Sequence, residues 1–334
     1  MKRQKRVWIG IFALLFVFTA SAAVATQTTP QAVSDSNQTA TPPADSQDPR
    51  YKLAVEVELV NLTATVLDQT NKYVEGLKLE DFQVFEDGQE QKVSFFSHDL
   101  RVPISVGVLI DISGSMKHKL QQALQTVREI SLALSPEDEM FVVTFNGDVE
   151  VRQRFTSNMQ EIQRSLRGIK SDGETAAYDA IKVGLDEMKK AKHNKKILLL
   201  ATDGFDTRSK IKEPRVEELL KRSQILVYAI GIDDDENDPL VNRRPMYHIY
   251  HYMLGRITGV SGGRAFRLFT GRNYALQSLA SVLLEELHQQ YTLSYYPAGA
   301  FGENFHEVEI RVRKPGIQIR HRNGYYVAKA GANN

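Results

Sequence analysis

The chain has 334 residues, of which 42% are hydrophobic and 25% charged, and its formal net charge is +1 at pH 7. The 42 basic residues are balanced by 41 acidic residues, which argues against a nucleic-acid-binding protein, because such a protein needs a concentrated basic surface. There is no cysteine, which excludes disulfide bonds, thiolate catalysis and thiolate zinc sites.

The first 25 residues have the composition of an export signal. A basic start, MKRQKR, precedes an apolar stretch and then small residues suited to cleavage. An uncleaved segment that tethers the protein to the membrane is the alternative, since the apolar run is near the lower length limit for spanning a bilayer. In both cases we expect the rest of the chain to be exported, either periplasmic or secreted. Residues 26–50 are polar and rich in Thr, Ser and Pro, which predicts a disordered linker.

Short runs of alternating polarity predict β-structure at both ends of the remaining chain. Residues 51–101 read as an N-terminal antiparallel β domain with a turn at Asp87 and Gly88. The alternation returns in residues 291–330, but these late strands are too few to bury a sheet face alone. We therefore expect the two segments to pack together as one small β-sandwich.

Between these segments, residues 103–290 alternate strand-like and helix-like stretches. Apolar runs predict strands at 104–111, 139–145, 195–202, 224–232 and 262–269. Amphipathic stretches predict helices at 117–134, 176–192, 213–223 and 273–290, the last with its apolar side formed by Leu276, Leu279, Val282, Leu283 and Leu287. The predicted fold class is α/β: a doubly wound, mostly parallel sheet inserted between the two halves of the β-sandwich.

The first of these strands ends in a cluster of oxygen-bearing side chains. Asp111, Ser113 and Ser115 alternate with Ile112 and Gly114 at the end of VGVLIDISGS. Ser and Asp are also common helix caps, so the pattern taken alone is equally typical of a strand-to-helix turn. In a wound sheet, however, this position opens into the crevice at the carboxyl edge, where oxygen ligands suit a hard divalent cation.

Two further positions fit this cluster. Thr175 stands at the start of a predicted helix, and Asp203 directly follows a buried strand. Both are expected at the carboxyl edge that carries Asp111. The sequence therefore predicts one metal site with five ligands: Asp111, Ser113, Ser115, Thr175 and Asp203.

In these positions the chain resembles a von Willebrand factor type A domain, whose metal-ion-dependent adhesion motif is Asp-x-Ser-x-Ser with a distant Thr and a distant Asp. The resemblance covers about residues 103–290, and the flanking β segments further resemble those of a group of secreted bacterial proteins related to this domain. It implies that Ser113 and Ser115 ligate the metal directly, while Asp111, Thr175 and Asp203 do so directly or through water. The implied metal is Mg²⁺, or else Mn²⁺ or Ca²⁺. In related adhesion domains, ligand binding moves the closing helix, here at 273–290.

These expectations favour a non-enzymatic binding or adhesion module, in which the cation coordinates an exposed Asp or Glu of a protein partner. One alternative is a cell-envelope scaffold whose metal site is regulatory. A metal-dependent hydrolase is disfavoured, because no motif places a histidine, cysteine or lysine beside the cluster as a general base.

Four other features have structural explanations that we prefer. GVSGG at 259–263 matches a hydrolase nucleophile pattern, but the predicted order of helix and strand around Ser261 is reversed. The acidic run 233–239 lacks the pattern of a calcium loop and is expected to be solvated. His248 and His251 are expected to pack or to form an interface. Asp206 is expected either to cap a loop or to contact water or the rim of the site, and Asp179 is expected on a helix surface or behind the metal ligands.

Overall fold

The computed structural model describes residues 59–98, 102–234, 245–270, 274–297 and 304–326. The predicted export signal (1–25) and linker (26–50) lie outside the described residues. Within the described ranges, no helix is long and apolar enough to cross a membrane.

Fourteen strands and six α-helices are described in these ranges. In chain order the strands are β1 (Val60–Leu67), β2 (Phe82–Glu86), β3 (Gln89–Gln91), β4 (Val93–Ser97), β5 (Ile104–Asp111), β6 (Glu139–Phe145), β7 (Val149–Thr156), β8 (Lys195–Thr202), β9 (Leu226–Asp233), β10 (Ala265–Phe269), β11 (Tyr291–Tyr295), β12 (Phe305–Val312), β13 (Gln318–Arg320) and β14 (Gly324–Tyr326). The helices are α1 (Leu120–Ala133), α2 (Met159–Ser165), α3 (Ala177–Met188), α4 (Glu213–Arg222), α5 (Pro245–Ser261) and α6 (Tyr274–His288).

The central sheet has six strands in the order β10-β9-β8-β5-β6-β7. Neighbouring strands are parallel except β7, which runs antiparallel to β6 at one edge. Helices α1, α2 and α6 cover one face of the sheet, and α3, α4 and α5 cover the other. Because both faces are covered, every residue of β5 is buried, which explains its continuous apolar sequence. The predicted doubly wound α/β class is confirmed.

The β segments before and after this sheet form two four-stranded sheets, β13-β1-β11-β4 and β14-β12-β2-β3. Each sheet contains strands from both ends of the chain: β1 pairs with β11, and β2 pairs with β12. Their shared core is built by alternate residues such as Leu62, Val84, Leu293 and Ile310. The insertion of the α/β sheet between two halves of a β-sandwich is therefore confirmed.

The structure departs from the predicted elements at several points, of which three matter here. Strand β7 was not predicted, because its sequence VEVRQRFT is rich in charged residues, as is typical of an edge strand that avoids pairing with other chains. The short helix α2 that follows it was not predicted either. Helix α1 begins at Leu120 rather than at 117, since Gly114–His118 form a 3₁₀ turn. Val282 was predicted on the apolar side of α6 but is exposed, whereas Ala280 and Leu284 of the same helix are buried.

A buried carboxylate joins the α/β domain to the sandwich. Glu286 of α6 is fully buried, and its Oε2 lies 2.7 Å from Nε of Arg264. Its Oε1 pairs with Arg320 of β13, and Tyr73 donates a hydrogen bond to Oε2 at 3.3 Å. Four segments that are distant in sequence therefore meet at one charge.

We predict that Gly107→Ala destabilises the fold. A Cβ at this buried position would lie 2.2 Å from Cζ of Phe141 and 2.8 Å from Cδ1 of Leu198, so β5 would have to shift against its neighbours. The expected loss is about 2 kcal/mol of unfolding free energy, measured by urea denaturation. The control is Gly255→Ala in α5, where a Cβ meets no atom within 4 Å and a gain of about 0.5 kcal/mol is expected. Equal effects at both glycines would contradict the close packing of β5.

We also predict that Glu286→Ala removes about 3 kcal/mol of stability, because it leaves Arg264 and Arg320 as uncompensated, partly buried charges. The neighbouring exposed Glu285 provides the matched control, and Glu285→Ala should change the unfolding free energy by less than about 0.5 kcal/mol. A loss of similar size in both variants would show that Glu286 does not carry the junction.

Candidate metal centre

The candidate site lies where the winding of the central sheet reverses. From β5 the chain first adds β6 and β7 on one side, and then returns to add β8, β9 and β10 on the other. Strands β5 and β8 are therefore adjacent and parallel, with Ile110 opposite Ala201. Their connections leave in opposite directions, which opens a crevice at their carboxyl ends. Asp111 ends β5, and Asp203 directly follows β8.

Asp111 is completely buried and is held by neutral donors. Its Oδ2 accepts a hydrogen bond of 2.6 Å from Oγ1 of Thr202, and its Oδ1 accepts one of 2.8 Å from the backbone N–H of Ser113. Burial raises the pKa of Asp111 to about 6; the hydrogen bonds from Thr202 and Ser113 oppose this rise, and the charge of Asp203 adds to it. This carboxylate is consequently a position where a positive charge would be strongly stabilising.

Ser113, Ser115 and Asp203 form a chain of oxygen atoms beside Asp111. The two serine Oγ atoms are 3.1 Å apart, and Ser115 Oγ donates to Oδ1 of Asp203 at 2.7 Å. Ser113 and the Asp203 side chain are buried, whereas Ser115 is exposed. The cluster therefore has buried oxygen atoms at its base and an accessible hydroxyl at its mouth.

Thr175 is brought to the same edge by backbone contacts. The N–H of Gly114 donates to the carbonyl of Gly173 at 2.9 Å, which holds the segment before Thr175 against the serine turn. On its other side, Thr175 N–H donates to Oγ1 of Thr207 at 3.0 Å, and its carbonyl accepts from the N–H of Thr207 at 2.8 Å. Thr175 is buried between the turn that follows β5 and the loop that follows β8.

A lysine completes the charge balance of this edge. Lys119, at the start of α1, places its Nζ 2.9 Å from Oδ2 of Asp203 and 3.4 Å from Oδ1 of Asp234. Burial alone lowers the pKa of Lys119, but the charges and hydrogen bonds of the two aspartates outweigh burial and hold that pKa above its usual value. No sequence motif indicates this lysine, because tertiary structure brings it to the cluster. An ammonium group held in this way nevertheless cannot accept a proton as a general base at neutral pH.

The sequence analysis thus missed three residues that shape the site. The signal for Thr202 was its place as the last residue of a buried strand, immediately before Asp203. Lys119 and Asp234 gave no comparable signal, since neither belongs to a spaced motif. They meet because the start of α1 passes the ends of both β8 and β9.

Asp206 and Asp179 hold local structure around the loop after β8. Asp206 Oδ1 accepts from the N–H of Tyr178 in the first turn of α3 at 3.3 Å. Asp179 accepts from the N–H groups of Lys210 and Ile211 at 2.9 and 3.2 Å, which ties the loop after β8 to α3. Both carboxylates therefore support the loop that carries Asp203.

The serine of GVSGG also has a structural role. Ser261 Oγ accepts from the N–H of Val227 at 2.8 Å and donates to the carbonyl of Thr258 at 2.8 Å. Gly262 follows with a φ of +87°, and a Cβ there would lie 2.7 Å from the backbone N of Arg322. The segment is a helix end packed against the C-terminal strands.

The expectation for the acidic run is wrong at its first residue. Asp233 is buried at the end of β9, where its carboxylate lies 3.1 Å from His251 Nε2 and 3.3 Å from Arg267 Nε. Residues 235–239 and the side chain of His248 lie outside the described part of the chain. His251 thus packs against Asp233 as part of an ion-pair cluster.

A second cluster of metal-ligating side chains lies in the sandwich and was not predicted. His306 Nδ1 is 3.1 Å from Oε1 of Glu86 and 2.9 Å from Oδ2 of Asp87. Tyr325 donates to Glu86 at 3.2 Å, and the N–H of Glu307 donates to Asp87 at 2.8 Å. These contacts form a polar network that fastens the β2–β3 turn to β12.

Part of the chain is similar to known proteins. An uncharacterised protein of Synechocystis sp. is 29% identical over 114 residues, which cover 32% of this chain and 26% of the relative. The chain thus matches about a quarter of the length of that curated relative. Residues 106–205 match the model of the von Willebrand factor type A domain.

Among solved structures, the chain is similar to the vWF domain of the type V pili tip protein Mfa5 from Porphyromonas gingivalis, with 12% identity and a TM-score of 0.44 over 61% of this chain and 99% of that one. It is also similar to proximal thread matrix protein 1 from the mussel byssus, in a form with a zinc-occupied MIDAS motif, with 16% identity and a TM-score of 0.45 over 57% of this chain and 49% of that one. The family match at 106–205 spans the strands and turns of the candidate site, so this part of the chain is similar to a von Willebrand factor type A domain.

Proposed function

We propose that this protein is an exported, non-enzymatic binding module. In this proposal residues 103–290 hold a divalent cation through Asp111, Ser113, Ser115, Thr175 and Asp203, and the cation coordinates an Asp or Glu side chain of a protein partner. The sandwich built from residues 51–101 and 291–330 supports the domain. The match to the type A domain supports a binding role in general; the cation and the acidic partner are our inference.

One observation carries the proposal: the spacing of the oxygen atoms at the carboxyl edge. Adjacent ligands of an octahedral Mg²⁺, each about 2.0–2.1 Å from the ion, are about 2.9 Å apart. The Ser113–Ser115 and Ser115–Asp203 oxygen pairs, at 3.1 and 2.7 Å, bracket that separation. The donor set of two carboxylates and three hydroxyls contains only the hard oxygen ligands that Mg²⁺ and Mn²⁺ prefer.

The same donor set explains why an acidic partner is expected. Three of the five ligands are neutral hydroxyls, and one of the two carboxylates, Asp203, is already paired with Lys119, so the charge of a bound ion would be only partly compensated and would favour an additional anionic ligand. Ser115 is exposed, so this ligand would approach at its side of the cluster. Lys119 is paired with Asp203 as a charged ammonium, so it does not supply the general base that the hydrolase alternative needs. His118 is an exposed residue of the 3₁₀ turn.

We predict that Asp203→Asn weakens Mn²⁺ binding by roughly tenfold or more, because a charged oxygen ligand becomes a neutral one. Isothermal calorimetry on the purified chain measures the affinity. The matched control is Asp206→Asn, three residues away, whose carboxylate contacts Tyr178 of α3; its affinity should stay within twofold of the wild type. An unchanged affinity in Asp203→Asn would contradict the proposed ligand set.

We further predict that the Mn²⁺-loaded protein binds a carboxylate in preference to the matching amide. An aspartyl peptide should displace water from the bound Mn²⁺ and lower its water-proton relaxation enhancement, whereas the asparaginyl peptide of the same sequence should leave it unchanged. Ser115→Ala, at the mouth of the cluster, should weaken the response to the aspartyl peptide. Equal responses to the two peptides would refute the acidic-partner proposal while leaving metal binding intact.

A further inference from the structure

Lys119 occupies an unusual position for a residue outside the proposed ligand set. Its ammonium group bonds one oxygen of Asp203, while Ser115 bonds the other. Only 12% of the Lys119 side chain and 1% of the Asp203 side chain are exposed, so water screens this ion pair weakly. Both oxygens of the proposed metal ligand are therefore engaged within the protein itself.

A second carboxylate shares the lysine. Asp234 Oδ1 lies 3.4 Å from the ammonium nitrogen, and 48% of its side chain is exposed. It follows β9, whereas Asp203 follows β8, so the two acids approach Lys119 from different loops. The ammonium therefore has an alternative partner within reach when the charge on Asp203 is compensated by another cation.

We propose that Lys119 is an internal counter-cation that competes with the divalent metal for Asp203 and so lowers the metal affinity of the site. The inference rests on the proposed function, because it concerns regulation of the same centre. A divalent ion bound to Asp203 and the ammonium on the same carboxylate repel each other at short range. Asp234 reduces this repulsion by offering the ammonium a second carboxylate.

The competing explanation is that Lys119 only positions Asp203. The two explanations predict opposite signs for the same substitution. If Lys119 competes, removal of its charge strengthens metal binding; if Lys119 positions Asp203, removal leaves that carboxylate misoriented and weakens metal binding. Metal affinity measured without any partner therefore distinguishes them.

The test is a titration of the full chain with Mn²⁺ alone, followed by the electron paramagnetic resonance signal of free Mn²⁺. Lys119→Met should bind Mn²⁺ roughly tenfold more tightly than wild type or better. Lys119→Gln, which keeps a hydrogen-bond donor without the charge, should do the same, and it preserves the test if the methionine variant fails to fold. Lys119→Arg should stay near wild type. Lys117→Met is the matched control, because Lys117 is an exposed lysine of the 3₁₀ turn just before Lys119; its affinity should stay within twofold of wild type.

The outcomes separate this inference from the proposed function. Equal or weaker binding by both uncharged Lys119 variants, with wild type binding Mn²⁺, would overturn the competition and leave the metal site standing. An equal gain in Mn²⁺ affinity in Lys117→Met and Lys119→Met would also overturn the competition. The gain would then come from the lower net charge of the protein and not from the contact of Lys119 with Asp203. Absence of Mn²⁺ binding in every protein, the uncharged Lys119 variants included, would refute the proposed metal site and this inference with it.

Discussion

The hydrogen bond from Thr202 to Asp111 is the constraint on which the rest of the site depends. It connects the last residues of two adjacent parallel strands, β5 and β8, at the point where the sheet changes its direction of winding. A carboxylate in this fully buried position must have strong donors, because an unsatisfied buried charge is very costly. Once the two strand ends are joined in this way, Asp203 follows β8 directly into the space beside Ser113 and Ser115. The serine turn and the loop after β8 therefore converge as a consequence of how the sheet is wound.

The carboxyl edge of the sheet concentrates negative charge, and each acid is compensated differently. Asp203 pairs with Lys119, and Asp233 at the end of β9 pairs with His251 and Arg267. Asp111 is held by a hydroxyl and a backbone N–H, and its pKa is raised to about 6 chiefly by burial. Of these three acids, Asp111 is the one held by neutral donors, so a bound cation would stabilise its negative charge most. By the same reasoning, the proposed effect of Lys119 beside Asp203 is to weaken metal binding without abolishing it.

Sequence reasoning succeeded where a physical signal is local and failed where it depends on tertiary geometry. Continuous apolar runs predicted β5, β6, β8 and β9 because parallel strands covered on both faces need such runs. Strand β7 was not predicted, because its charged residues suit a sheet edge. The predicted rotation of α6 about its axis was also wrong, because Val282 was expected inside but is exposed. The contact of Lys119 with Asp203 joins residues 84 positions apart and is decided by where α1 begins after the 3₁₀ turn. The five predicted ligands came from their order and spacing; that they share a metal ion remains a prediction.

The junction at Glu286 limits how a signal from the metal edge reaches the sandwich. Only two residues separate α6 from β11, so a movement of this helix would act directly on the sandwich. Glu286 is fully buried between Arg264 and Arg320, and separating such a carboxylate from its partners costs about 3–5 kcal/mol. Typical coupling free energies between two binding sites are only about 1–3 kcal/mol. A displacement of α6 that broke this cluster would therefore cost more than ligand binding normally supplies. If α6 moves when ligand binds, it must carry Arg264 and Arg320 with it, and the sandwich would then follow the helix as one body.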